Sequence, residues 1–255
     1  MSLTLNMVGG GSGGGLSATD ALLRVQAPIG SAISITKGAV TKTDVGHENA
    51  DDNRFYDYYF IIHASQFDSI TPWTVTMVNG SMTQTDTVII NSANEYDVLF
   101  KYLLLYDYGN EFTDITGGWL FSQNSYPSAS LTKNDDNMVL YVSRSGGQNA
   151  ASGCTYTANA IDYTIFSTVK YLYDLAITGS SNADQCSFVA RTTAPTNGGY
   201  ETSDPYTANL QAGTNKTGSC DISSATSPFY TAIRAWSITT KGTTVTATIK
   251  RIWLE

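Results

Sequence analysis

Residues 73–90 read WTVTMVNGSMTQTDTVII, and this stretch decides the fold class of the chain. Its centre, Asn79-Gly80, is typical of a two-residue type I′ turn, because both turn residues must adopt a positive φ. A turn at these residues joins two strands and pairs Met77 with Met82. The stretch therefore predicts an antiparallel β-hairpin.

The two faces of the predicted hairpin have different chemistry. Successive residues of a strand point to opposite faces, so the large apolar side chains fall on one face and the threonines on the other. The apolar face carries Trp73, Val75, Met77, Met82, Val88 and Ile90, and the opposite face carries Thr74, Thr76, Thr83, Thr85 and Thr87. A sheet with one buried face and one wet face is the unit of a β-sandwich.

The composition extends this interpretation to the whole chain. Only 14% of the 255 residues are charged, whereas about 25% is usual for a soluble domain. Threonine, serine, asparagine, glycine and 16 tyrosines supply the polarity instead, and this balance favours strands and turns over exposed helices. The net charge of −8 and the pI of about 4.6 disfavour binding to phosphate backbones. We therefore expect neither nucleic acid nor a membrane as a partner.

The beginning of the chain does not resemble an export signal. Residues 1–9 carry neither a charged n-region nor an apolar h-region, and no run of about 18 apolar residues occurs anywhere. The three cysteines, Cys154, Cys186 and Cys220, form no CxxC pair and are odd in number, so they indicate neither a disulfide framework nor a zinc site. We expect three free thiols in a protein made in a reducing cytoplasm.

Residues 9–15 read GGGSGGG. Because each glycine loses much backbone entropy when it is fixed, this run cannot hold regular structure by itself. No strand precedes it, which argues against a phosphate-binding loop. Two interpretations stay open: a flexible linker, and an assembly arm that orders in a neighbouring subunit. The glycines of such an arm are Gly9, Gly10, Gly11, Gly13, Gly14 and Gly15.

Residues 16–92 have the strand number and spacing of an Ig-like β-sandwich. We predict strands within Ser17–Ala27 and Tyr58–Ala64, a hairpin at Ala32–Thr43 beside the hairpin described above, and a polar loop at Asp44–Asp57. Asn91–Asn94 marks the predicted domain boundary.

Residues 93–255 indicate a second, larger all-β domain of the jelly-roll or concanavalin-like type. One long strand is predicted at Tyr96–Tyr106, and short strands separated by Gly, Pro, Asn and Ser clusters follow it. They are expected near 118–121, 128–132, 137–142, 169–177, 185–191, 206–211, 217–222, 229–238 and 243–254. The apolar phase of the last strand slips between Ile249 and Ile252, which predicts a β-bulge near Lys250-Arg251.

No arrangement of side chains in the sequence indicates catalysis. The two histidines have no metal ligand or nucleophile at motif spacing. The carboxylate pairs Glu111/Asp114 and Glu201/Asp204 lie among turn residues, where acidic side chains favour hydrated turns. The oxygen-rich segment Asp51–Asn53 lacks EF-hand spacing, as does the segment at 134–137. We expect a non-enzymatic protein with no cofactor and no metal.

Four tyrosines in predicted loops are the best candidates for ligand contact. Exposed tyrosine beside asparagine, serine and glycine makes an adaptable recognition surface, and sugar rings stack on such aromatic faces. The candidates are Tyr126, Tyr156, Tyr200 and Tyr206. The alternative for each is packing at the rim of the sandwich with the hydroxyl in water. The four tryptophans, Trp73, Trp119, Trp236 and Trp253, lie in predicted strands and are assigned to the core.

Five segments carry a family resemblance: Gly30–Thr43, Thr71–Thr76, Glu95–Val98, Thr113–Trp119 and Arg251–Glu255. Together they resemble accessory virion proteins of bacteriophages and prophages of Gram-positive gut bacteria. The resemblance implies a glycine-rich docking arm at 1–15, an Ig-like β-sandwich at 16–92 and a jelly-roll β-sandwich at 93–255.

The same resemblance implies a role on the virus particle, in a tail fibre, baseplate appendage or capsid fibre. It implies assembly in the host bacterial cytoplasm, location on the virion, other virion proteins as partners, and attachment to host-surface glycan. Phage appendages are usually symmetric, so a homo-oligomer, with a trimer as the first expectation, follows by analogy. Two alternatives stay open: a decoration protein without a ligand, and a carbohydrate-active enzyme or its carbohydrate-binding module.

Overall fold

The computed structural model describes residues 17–80, 82–124, 128–144, 151–179, 185–199, 204–237 and 242–255. The chain is nearly all β and divides into two compact units, the first ending at Phe100 and the second beginning at Lys101. The predicted all-β, sandwich-like fold class is confirmed. Among the described residues, none of the helices has the length and apolar character needed to span a membrane.

The first unit is a sandwich of two four-stranded sheets. One sheet has the order β4-β5-β1-β8 and the other β3-β2-β6-β7. The strands are β1 Ala21–Pro28, β2 Ala32–Lys37, β3 Val40–Asp44, β4 His47–Glu48, β5 Phe55–Ile62, β6 Trp73–Asn79, β7 Met82–Val88 and β8 Glu95–Leu99. A 3-10 turn at Ala64–Gln66 follows β5.

Alternating side chains of both sheets build the core of the first unit. Leu23 on β1 pairs with Phe60 on β5, and both are buried. In the other sheet, Ile35 on β2 pairs with Val75 on β6, and both are completely buried, as is Trp73. The predicted threonine face also forms, with Thr74 opposite Thr87 and Thr76 opposite Thr85.

The register of the β6–β7 hairpin differs from the prediction by two residues. Asn79 pairs with Met82, so Asn79 ends the strand, and Met77 lies opposite Gln84 instead of Met82. The cause is a tertiary contact: the buried Asn79 amide donates to Ile29 O at 3.0 Å and to Ser31 Oγ at 2.9 Å. Because a shift of two residues preserves alternation, each side chain stays on its predicted face.

We expect Asn79→Ala to lower the free energy of unfolding by about 1–3 kcal/mol, because the two hydrogen bonds from the buried Asn79 amide to Ile29 O and Ser31 Oγ are lost. Urea denaturation followed by circular dichroism measures this change. Thr83→Ala, on the exposed face of the next strand, is the matched control and should change stability by less than about 0.5 kcal/mol. Equal stability of the two variants would contradict the structural role of Asn79.

The predicted boundary at Asn91–Asn94 lies earlier than the division of the structure at Phe100. Residues 95–99 form β8, which pairs in parallel with β1 and therefore belongs to the first unit. The single strand predicted at Tyr96–Tyr106 is accordingly wrong. Its apolar run is two strands, β8 in the first unit and Leu103–Asp107 in the second.

The second unit is a jelly-roll-like sandwich of a seven-stranded and a six-stranded sheet. Its strands are β9 Leu103–Asp107, β10 Asn110–Glu111, β11 Trp119–Gln123, β12 Ala129–Lys133, β13 Met138–Ser143, β14 Ala151–Thr157, β15 Ile161–Asp162, β16 Thr168–Thr178, β17 Gln185–Arg191, β18 Tyr206–Asn209, β19 Gly213–Asp221, β20 Pro228–Ser237 and β21 Thr244–Leu254. A single helical turn, α1, spans Thr113–Thr116.

Each sheet of the second unit has one strand that pairs with three others: β21 in the seven-stranded sheet and β20 in the six-stranded sheet. In the seven-stranded sheet, one side of β21 pairs with β16. On the other side, the first part of β21 pairs with β13 and the last part pairs with β9. In the six-stranded sheet the order is β11-β14-β20-β17-β18, and β15 also pairs with β20. The predicted β-bulge is confirmed, since Leu172 lies opposite Arg251 and Tyr173 opposite Ile249, which leaves Lys250 unmatched on β16.

The strand β14, which lies between β11 and β20 inside the six-stranded sheet, was not predicted. Its small residues are typical of a loop, but they reflect close packing. Gly153 has no room for a side chain, because an added Cβ would lie 2.7 Å from the Ala129 Cβ. Ser152, Cys154 and Thr155 are all buried.

Candidate functional site

Two of the four candidate tyrosines, Tyr126 and Tyr200, lie outside the described residues, as do the glycines of residues 9–15. The other two, Tyr156 and Tyr206, belong to the six-stranded sheet. Tyr156 lies in β14, which the sequence analysis took for a loop, and Tyr206 begins β18.

Tyr156 and Tyr206 lie on opposite faces of this sheet. Tyr206 pairs with Ala190, whereas Tyr156 pairs with Ala232, whose partner on β17 is Val189. Tyr206 packs edge-on against Phe229 at 5.2 Å between ring centroids. The sheet therefore does not bring the two tyrosines together.

One face of the six-stranded sheet faces the core and the other faces away from it. Phe188 on the core face stacks on Tyr171 of the seven-stranded sheet, with ring centroids 5.6 Å apart. We call the opposite side, which carries Tyr156, the outer face. Across this face the register aligns a row of residues on successive strands: Leu120, Tyr156, Ala232, Val189 and Thr207.

The Tyr156 ring packs against a small apolar cluster of Cys154, Val189 and Ala232. Ala232 lies directly opposite Tyr156 on β20, and Val189 lies opposite Ala232 on the next strand, β17. The three cluster residues are completely buried while Tyr156 itself is half-buried. Tyr156 therefore packs on the buried cluster and is partly exposed.

Two more side chains extend this surface. Leu120, directly opposite Tyr156 on β11, is 45% exposed. Tyr230 is half-buried and lies two residues from Ala232 on β20, which places it diagonally across from Tyr156, at a spacing of roughly 7–8 Å. We call Leu120, Tyr156 and Tyr230 the platform.

A buried ionic cluster lies on the same outer face. The Asp204 carboxylate is 2.7 Å from Arg191 Nε and 3.3 Å from Arg234 Nη1, and at most 13% of any of these three side chains is exposed. Burial raises the pKa of Asp204, and the two guanidinium charges oppose that rise. Burial likewise lowers the pKa of Arg234, against the attraction of Asp204.

The ionic cluster also holds the segment that follows β17. Arg234 Nη1 donates to Gly199 O at 2.8 Å, and the N–H of Gly198 donates to Ser122 Oγ at 3.2 Å. Asn197, Gly198 and Gly199 all have positive φ, and an added Cβ on Gly198 would lie 2.6 Å from the Ser152 carbonyl oxygen. This tight turn is thereby fixed on β14 beside the platform.

Trp236 is not in the core, contrary to the sequence-based assignment. Alternation along β20 directs Ile233 and Ala235 inward and Arg234 and Trp236 outward. Trp236 is half-buried, and the Arg234 guanidinium lies 4.6 Å from its ring centroid. The other three tryptophans are buried, as predicted.

Two of the four acidic residues considered for catalysis, Glu111 and Asp204, have structural partners. Glu111 accepts from the Trp119 backbone N–H at 3.0 Å and pairs with Lys133, whereas Asp114 is exposed on α1. Asp204 belongs to the ionic cluster, and Glu201 lies outside the described residues. Within the described part of the chain, His, Cys, Asp and Glu side chains form no group of three or more that could hold a metal ion.

The three cysteines are free, as expected, and all three are buried. Burial raises the pKa of Cys154 to about 12 and that of Cys220 to about 11, and it also raises the pKa of Cys186. The folded thiols therefore stay neutral at pH 8.

We expect native protein at pH 8 to take up almost no iodoacetamide, and urea-unfolded protein to take up three equivalents, one for each cysteine in the sequence. Intact-protein mass spectrometry counts the adducts in both states. Rapid modification of a native thiol would contradict the burial described above.

No protein-family model and no curated protein matches this chain. Among solved structures, the chain is similar to the carbohydrate-binding module TmCBM27, whose structure was described for specific mannan recognition. The sequences are 11% identical, the match covers 61% of this chain and 99% of the module, and the TM-score is 0.32. This weak likeness is limited to the β-sandwich architecture.

Proposed function

We propose that the second unit is a non-enzymatic glycan-binding domain that binds through its outer face. The observation that carries this proposal is the partly exposed Tyr156, which packs on the buried residues Cys154, Val189 and Ala232. Sugar rings present apolar C–H faces that pack on such an aromatic surface, while aromatic residues contribute large contact area at low cost in conformational entropy.

Polar groups beside the platform suit recognition of sugar hydroxyls. Thr207 and Asn209 are exposed on β18, and Ser122 is half-buried on β11. All three lie on the outer face, since they align with Val189, Ser187 and Cys154 respectively. Few, well-placed polar groups around an apolar surface are the usual composition of a small-ligand site.

The surroundings of the platform are pre-organised. The Asn197–Gly199 turn is fixed by Arg234 and Ser122, and the ring of Tyr156 is fixed by the sheet below it. A surface that needs no ordering on binding loses less free energy to conformational entropy. The pre-organisation of the outer face therefore favours a role in ligand binding over that of an ordinary solvent-exposed surface.

We further propose that this binding serves attachment of a bacteriophage particle to its host, as the sequence resemblance implies. The proposal is supported by the three buried free thiols, which suit a protein made in a reducing bacterial cytoplasm. A decoration role without a ligand is the second candidate. The edge strand β7, which among the described residues pairs with β6 alone, favours it because an unpaired strand edge can pair with another chain.

The test is binding of the full chain to a panel of bacterial surface polysaccharides and Gram-positive cell walls, followed by titration calorimetry on the best ligand. We expect Tyr156→Ala to weaken binding at least about tenfold, equivalent to about 1.4 kcal/mol. The matched control is Tyr141→Ala, because Tyr141 is an exposed strand tyrosine that lies on the seven-stranded sheet, away from the platform. Absence of glycan binding, or equal loss in the two variants, would overturn the proposal.

A further inference from the structure

The strand β7, Met82–Val88, is an open sheet edge. Among the described residues it pairs with β6 alone, and most of its side chains are exposed. The pairing with β6 runs without a register shift over the full strand. Natural edge strands are usually protected by a bulge, a proline or charged side chains; β7 has no bulge, proline or lysine, and its one charged residue is Asp86.

Alternate residues of β7 direct their backbone groups to the free edge. The pair next to a two-residue hairpin loop, here Asn79 and Met82, exchanges its backbone hydrogen bonds, and the pattern then alternates along the ladder. Thr83, Thr85 and Thr87 therefore point their N–H and C=O groups outward. In agreement, the Thr87 N–H donates to the Asp86 side chain at 2.7 Å instead of to a strand.

The sequence of β7 is complementary to itself when two copies run antiparallel about Thr85. In that register Met82 faces Val88, Thr83 faces Thr87 and Gln84 faces Asp86, with each contact made twice. Apolar, hydroxyl and amide–carboxylate pairs are all favourable across strands. The neighbouring registers are poorer: one centred on Asp86 puts two carboxylates opposite each other, and one centred on Gln84 puts Asp86 opposite Met82.

We infer that two copies of the chain associate through β7 in this two-fold register. The pairs Thr83–Thr87 and Thr85–Thr85 then exchange backbone hydrogen bonds, and two four-stranded sheets become one eight-stranded sheet. This interface is isologous, unlike the threefold arrangement expected by analogy. It also supplies two glycan-binding units per assembly, which raises avidity on a repetitive surface.

The experiment is sedimentation equilibrium of the full chain at micromolar to submillimolar concentrations. We expect a monomer–dimer equilibrium for the wild type. Thr85→Pro should be monomeric with an unchanged circular dichroism spectrum and melting temperature, because its N–H faces the open edge and takes no part in the β6 ladder. Thr85→Ala, which keeps the backbone N–H, is the matched control and should still dimerise.

Substitutions that change the charge of β7 test the register of the proposed dimer without introducing a proline. Gln84→Glu places carboxylates opposite Asp86 and should weaken the dimer at least about tenfold at low salt. The double variant Gln84→Glu/Asp86→Lys should restore it. A monomeric wild type, a trimer, a Thr85→Pro dimer of unchanged affinity, or failure of the double variant to recover would each overturn this inference.

Discussion

Replacement of Asp204 by asparagine is expected to lower the free energy of unfolding by about 3–5 kcal/mol. The carboxylate lies within 3.3 Å of both Arg191 and Arg234, and all three side chains are largely buried. Removing its charge leaves two guanidinium groups without the carboxylate that they share, in a place where water cannot replace it. Urea denaturation of the full chain measures the change.

The control for this variant is Asp174→Asn. Asp174 pairs with Lys250 at 2.8 Å, but its side chain is 30% exposed. Exposed ion pairs contribute about 1 kcal/mol or less, so this variant should unfold almost as the wild type does. Similar losses of unfolding free energy at Asp174 and Asp204 would show that the buried ionic cluster stabilises the fold no more than the Asp174–Lys250 pair does.

Replacement of Trp119 by alanine is expected to cost about 3–5 kcal/mol. The Trp119 side chain is buried, packs edge-on to Tyr106, and donates from its indole N–H to Leu105 O at 3.1 Å. The substitution leaves a large cavity and an unpaired carbonyl oxygen. The midpoint of urea unfolding, observed by circular dichroism, should fall while the slope stays unchanged.

The neighbouring residue provides a matched control on the same strand. Leu120 points to the outer face and is 45% exposed, so Leu120→Ala should change stability by about 0.5 kcal/mol or less. A large loss of stability at Leu120 and a small one at Trp119 would mean that Leu120, not Trp119, faces the core. That result would contradict the described register of β11.

Local alternation in the sequence was sufficient to predict most strands of both units. Hairpins with one apolar face, such as Ala32–Thr43, follow directly from period-two patterning, and the phase slip at Ile249–Ile252 predicted the bulge at Lys250. These features depend on neighbours in the chain, and a single sequence contains that information.

Features set by distant contacts could not be predicted in this way. The hairpin register depends on hydrogen bonds from Asn79 to a segment about 50 residues away, and β14 consists of small residues because Ala129 and the Asn197–Gly199 turn pack against it. Such packing leaves no local signal beyond an excess of glycine, serine and alanine, which also marks loops.

The candidate site, too, depends on distant contacts that the sequence alone does not reveal. Tyr156 was identified for its polar neighbours, yet what supports it is the buried cluster of Cys154, Val189 and Ala232 on which it packs. Tyr230 and the Arg191–Asp204–Arg234 cluster were missed, because only the register of β14, β20 and β17 brings them to one face. Outward-pointing arginine and tryptophan in alternation on β20 were the available signal.

Glycan binding by the platform is the central claim, and its most direct measurement is calorimetric comparison of Tyr156→Phe and Tyr156→Ala on the same polysaccharide. If the ring face carries the binding, Tyr156→Phe should retain affinity within about threefold, whereas Tyr156→Ala should lose at least about tenfold. Equal affinity of the wild type and Tyr156→Ala would contradict the claim. So would equal losses in the two variants, which would assign the contact to the hydroxyl instead of the ring.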